Sequence, residues 1–218
     1  MKGFAEETPG SFWTERRLAA AGIALGIAGG LLSRWIGVWL GVGGFAALAG
    51  VFALACGGCY LRPLLALSPA RVAVGAAAGL VMVAATYLAY PVAAGAVSLV
   101  TPQTIDLYRA FQGEPVWLRF ALLPAAIAGE DLVWRGLVQS ALSRRLGLWA
   151  GLLLASALYA CTHLSVGSPL LVAVAFACGL YWGALRLWTR SLVPVLVAHL
   201  LWDLAVMFFW PLEVVPVR

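Results

Sequence analysis

Glu130 and Asp131, with Arg135 four residues after Asp131, set three formal charges into a run that otherwise reads as membrane-buried helix, from Leu122 to Val138. A charge near a bilayer centre costs roughly 3 kcal/mol on insertion scales and more in simulations. A chain that keeps three together has a use for them. On a helix Asp131 and Arg135 share a face and can pair, whereas Glu130 sits one step round. This assigns Asp131 and Arg135 to a self-neutralising structural ion pair and leaves Glu130 facing a cavity, where a carboxylate suits general acid or base chemistry.

The chain has two histidines, both in apolar runs. His163 has Tyr159 one helical turn before it, and His199 has Asp203 one turn after it. The apolar spans before residue 100 hold no carboxylate and no histidine, so these costly groups are confined to three spans of the C-terminal half. Three chemistries fit the set. In hydrolysis, a glutamate activates water while His and Asp side chains orient it and stabilise an oxyanion. In metal binding, Glu130, His163, His199 and Asp203 are credible ligands for zinc or another divalent ion. In transport, the same groups relay a proton or ion near mid-membrane.

The elements that must position these residues are membrane helices. Hydrophobic residues make up 63% of the 218, only 11% are charged, and mean hydropathy is +0.97; soluble domains are about half apolar and about a quarter charged. This excludes an ordinary soluble domain. The net charge of +5 is scattered between apolar runs rather than gathered in a basic stripe, so nucleic acid is not the expected partner. The expected fold is an all-α polytopic membrane protein with about seven spans, near residues 18–33, 36–60, 72–99, 117–142, 148–165, 170–188 and 192–212. Residues 1–15 read as a mobile cytoplasmic tail, 16–100 as N-terminal transmembrane helices, 101–116 as an external loop with room for a short amphipathic helix, 117–212 as the catalytic core and 213–218 as a short tail. Pro91 in the long third span predicts a kink, a tilt or an interfacial end.

Most basic residues, among them Arg16, Arg17, Arg62, Arg71, Arg144, Arg145, Arg186 and Arg190, fall on one side of this map, with Arg34, Arg109, Arg119 and Arg218 on the other. The positive-inside rule then puts the N-terminus inside. Arg16-Arg17 before an apolar run resembles a signal peptide, but no small-residue cleavage site follows, and the run reads as an uncleaved first span. Gly22, Gly26 and Gly30 form a small-residue stripe expected to pack against other helices of the same chain, the alternative being a homodimer contact. Cys56 and Cys59 have C-x-x-C spacing with no second pair to complete a zinc site, and read as packing thiols. By this map Glu130 lies near mid-membrane, His163 near the outer end and His199 nearer the inner side, a mismatch of roughly one turn at 1.5 Å per residue.

Glu130-Asp131-x-x-x-Arg135, Tyr159-x-x-x-His163 and His199-x-x-x-Asp203, in that order on successive helices, resemble the three motifs of the CPBP family, the CAAX-protease and bacteriocin-processing intramembrane proteases, usually written EExxxR, FxxxH and HxxxN. The resemblance covers about residues 115–212. It differs at Asp131 for Glu, Tyr159 for Phe and Asp203 for Asn; an ionised Asp cannot donate to an oxyanion, whereas Asn can. The resemblance implies an intramembrane endopeptidase, glutamate-type or metal-assisted, in which Glu130 activates water with help from His163. His199 with Asp203 would then polarise the scissile carbonyl, and Tyr159 would line the substrate pocket. It implies either no cofactor or a divalent metal such as Zn held by Glu130, His163 and His199. The implied partners are the lipid bilayer and a membrane-anchored peptide or protein, including the C-terminal anchors cut by bacterial sorting branches. The implied location is a bacterial inner (plasma) membrane.

Overall fold

The computed structural model describes residues 15–213. The expected tail up to residue 14, with Lys2, and the end from residue 214, with Arg218, lie outside the described residues. Five helices are long and apolar enough to cross a membrane: α1 (Glu15–Ile36), α2 (Trp39–Leu65), α3 (Pro69–Ala96), α6 (Leu148–Val166) and α7 (Pro169–Thr189). A shorter apolar helix, α8 (Val193–Phe209), follows. The remaining long helix, α5, runs as Val116–Asp131, passes through a π-helical stretch Leu132–Val138 and ends as Gln139–Leu146. It is less apolar than the five because Glu130, Asp131 and Arg135 stand in its middle. Among the described residues the architecture is thus all-α and multi-pass.

Local sequence explains the helix boundaries. Ser68 and Ser168 accept hydrogen bonds from Arg71 N and Leu171 N, each at 3.2 Å, and each is followed by a proline in the first turn. Such a cap satisfies an amide that no carbonyl inside the helix can reach, and proline there forfeits no bond. Between α5 and α6 the chain turns at Gly147, whose φ of 89° a side chain would strain. α3 continues through Pro91 to Ala96.

α5 is the central helix. All seven residues of its π-helical stretch are buried, and a helix buried all round must be surrounded by others. α2 approaches it closely: a Cβ on Gly50 would lie 2.6 Å from Gly129 Cα, and one on Gly129 would run into the Ala46 carbonyl. Glycine at both positions brings the α2 backbone against the turn that carries Glu130. The stripe on α1 is likewise used within the chain, Gly22 against Val133 and Gly30 against Ser165. Glu15, which the sequence assigns to the tail, is instead the buried first residue of α1 and pairs with Arg144.

The expected loop at 101–116 contains a helix, α4 (Val100–Phe111). Three ties fix it. The Trp39 indole donates to the Phe111 carbonyl (2.7 Å), Gln103 Oε1 accepts from Leu170 N (2.8 Å), and the Tyr108 hydroxyl donates to the Val206 carbonyl (2.6 Å). α4 is therefore part of the wall around the site.

Candidate active site

α5 delivers Glu130 and Asp131 side by side, and their side chains part. Asp131 is 0% exposed, Arg135 2% and His199 3%, so the three act as one buried charged unit. Asp131 Oδ1 lies 3.2 Å from Arg135 Nη1, the expected ion pair. Its other oxygen, Oδ2, lies 3.1 Å from His199 Nδ1. Asp131 therefore also sets the orientation of His199. A proton on Nδ1 donates to Oδ2, and the ring then turns its Nε2 to the other side. Asp203 Oδ2 stands there, 3.6 Å from Nε2.

Aromatic rings confine the same unit. The Arg135 guanidinium lies over two of them, 4.3 Å from the Tyr159 ring centroid and 5.0 Å from that of Trp182. In a desolvated site each such contact attracts the cation by about 2 kcal/mol or more. Trp182 in turn stacks on His199, with centroids 3.6 Å apart and planes 25° from parallel. Sequence reasoning missed Trp182: an aromatic residue in an apolar helix carries no signal that separates a histidine-stacking ring from ordinary packing.

Glu130 is held more lightly. Tyr159 donates its hydroxyl to Glu130 Oε2 at 2.6 Å and meets the His163 ring edge-on, with centroids 4.8 Å apart. His163 follows the last residue of the α-helical part of α6, where a 3-10 turn begins, and its Nδ1 lies 3.0 Å from the Tyr159 carbonyl. Tyr159 is thus more than a wall of the pocket, because its hydroxyl fixes one oxygen of Glu130.

Glu130, Tyr159, His163, His199 and Asp203 all line one cavity of about 600 Å³. The depth mismatch read from the span map does not keep them apart. Most of the remaining wall is apolar and comes from α3, α4, α7 and α8, including Val81, Ala85, Leu107, Val174 and Met207. Tyr108 adds a hydroxyl to the wall; burial pushes its pKa up to about 12, so it stays a donor.

The donors of the expected metal set do not gather. Among the described residues no three His, Cys, Asp or Glu side chains are grouped as a metal ion would need. Glu130, His163 and His199 as placed therefore do not form a ready ligand set. The four cysteines are unpaired thiols.

Residues 112–205 match the family model described as type II CAAX prenyl endopeptidase Rce1-like. No match was found among curated proteins or among solved structures. The matched stretch contains Glu130, Asp131, Arg135, Tyr159, His163, His199 and Asp203 but leaves out α2, α3 and α4, which supply much of the cavity wall. Over residues 112–205, where all the charged residues of the site lie, this chain is similar to the Rce1-like type II CAAX prenyl endopeptidases.

Proposed function

We propose that the protein is an intramembrane endopeptidase that hydrolyses a peptide bond in a membrane-anchored protein or peptide, with Glu130 as the general base. One observation carries the reading: Glu130, His163, His199 and Asp203, all within a segment that matches an endopeptidase family, line a single cavity. In the proposed reaction Glu130 takes a proton from water, and the resulting hydroxide attacks the scissile carbonyl carbon. The proton then passes from Glu130 to the leaving nitrogen as the C–N bond breaks. His163, at the same cavity wall, helps orient the water.

His199 faces the oxyanion. With Nδ1–H given to Asp131, a second proton on Nε2 makes an imidazolium between two carboxylates, and this form can donate to an oxyanion where an ionised Asp203 cannot. Asp203, 3.6 Å from Nε2, then stands beside that donor. The largely apolar wall favours a substrate whose reaching segment is itself apolar, such as a lipid-modified tail or a membrane anchor. The asymmetry of basic residues supports an N-terminus on the cytoplasmic side of the membrane.

The test is cleavage of a membrane-anchored reporter peptide by the purified chain in vesicles, beside Glu130→Gln. The wild type should cut and the variant should insert and fold without cutting. Normal processing by Glu130→Gln would sink the assignment. Substrate-dependent ion flux in the same vesicles, without cleavage, would point to the relay reading instead.

A further inference from the structure

Glu130 borders a second cavity. It is small, about 30 Å³, and is lined by Gly22 and Gly26 of α1, Ala46 of α2 and Trp134 of α5, among others. Its polar side consists of Glu130, Tyr159, Thr162 and His163. Glu130, Tyr159 and His163 also line the large cavity, so the groups with the chemistry form a partition between the two spaces. A chamber of this size holds roughly one or two waters and no peptide, and a buried water needs about two to four polar partners, which this wall can supply.

We propose that this chamber seats the hydrolytic water, so that the nucleophile reaches Glu130 from the α1 side while substrate fills the large cavity. The proposal rests on the endopeptidase reading above. An apolar segment entering the large cavity displaces water from it, which would leave the general base dry. A separate polar chamber, too narrow for that segment, keeps one water beside Glu130. The chemistry balances within the step already given: the water loses one proton to Glu130, its oxygen bonds to the carbonyl carbon, and the leaving nitrogen receives that proton.

The packing of α1 singles out the residue that makes the space. A Cβ on Gly22 would collide with Val133, and one on Gly30 with Ser165, so close helix contact requires both glycines. A Cβ on Gly26 would meet Thr162 Cγ2 at 3.6 Å and Trp134 Cζ2 at 3.8 Å, ordinary contact distances. Helix packing does not demand glycine at 26, and the side chain it lacks is volume left to the chamber. Polar groups continue from there toward the helix ends: Ser165 Oγ donates to the Thr162 carbonyl (3.2 Å), and exposed Arg34 donates through Nε to the Ser165 carbonyl (3.2 Å).

Gly26→Ala tests the idea in the full chain, assayed in vesicles on a membrane-anchored peptide that the wild type cleaves. The added methyl should lower kcat by about tenfold or more with KM changed less than about twofold, a loss of chemistry without loss of substrate binding. The unfolding temperature should not fall. Gly95→Ala on α3, where a Cβ meets nothing within 4 Å, should behave as wild type. A folded Gly26→Ala that cleaves at the wild-type rate overturns the proposal. If that variant does not fold, Thr162→Val decides, because it removes a polar partner at nearly constant volume: a lowered kcat at constant KM supports the chamber, and a wild-type rate overturns it. A wild-type chain that cleaves nothing brings down the endopeptidase reading and this proposal with it. Wild-type cleavage undiminished in Gly26→Ala removes the chamber alone.

Discussion

The two sides of the site are built differently. On the His199 side every group is fixed: Nδ1 is bonded to Asp131, the ring face is covered by Trp182, and Asp131 is shared with an Arg135 that itself lies over two rings. On the Glu130 side one hydroxyl holds one carboxylate oxygen, and the rest of the group borders open space in two cavities. The residues that begin the two sides are chain neighbours. The difference follows from the work proposed for each. A group that faces a developing negative charge gains most from being immobile before the reaction starts. A group that must take a proton and give it back needs room for water, and room excludes tight packing.

The comparison can be broken first at its open side. Glu130→Gln keeps the volume and the bond to Tyr159 but removes the base, and should lower kcat by about 10²–10⁴-fold with an unchanged melting curve. Cleavage assays beside thermal unfolding in detergent separate the two readouts. Asp131→Asn attacks the fixed side. It leaves Arg135 buried without its counter-charge, a loss worth about 3–5 kcal/mol when one partner of a buried pair is removed. It should therefore lower both the unfolding temperature and the rate, the opposite pattern to Glu130→Gln.

A smaller effect is expected at Trp182. Trp182→Leu removes the stack on His199 and one of the two rings at Arg135, an aromatic contribution of about 0.5–1.5 kcal/mol beyond area. The rate should fall by about tenfold, with KM little moved. A variant at full rate would show that Asp131 alone holds the imidazole. Least is expected of Tyr159→Phe, which keeps the ring over Arg135 and against His163 but takes the hydroxyl from Glu130. A hydrogen bond to a charged group is worth about 1.5–3 kcal/mol, yet a carboxylate that borders two cavities can take a water in its place, so a change of a few-fold in kcat is expected. A collapse as large as that of Glu130→Gln would make Tyr159 part of the proton path.

Much of this was legible in the sequence. Apolar runs bounded by charges and prolines place the helices, because lipid leaves the backbone no partner but itself. The expense of buried charge pointed to Glu130, Asp131, Arg135, His163, His199 and Asp203 before any fold was known, since a bilayer tolerates such groups only where they are needed. The π-helical stretch and the helix at Val100–Phe111 were not legible to the same degree; both follow from neighbours that a linear pattern does not name.

By itself, then, the sequence determined an all-helical membrane chain and the few side chains in it that could do chemistry, since both follow from the cost of transfer into lipid, a property of each residue and its near neighbours. Only the tertiary structure decided which of those side chains meet. Asp131 finds His199 across 68 residues, Trp182 lies on the imidazole from a helix with no motif of its own, and Gly26 leaves a space that its own helix does not require. The spacing of charges along a helix sets which face they share. Which other helix that face touches depends on how every helix fits against all the rest, and that is a property of the packed whole.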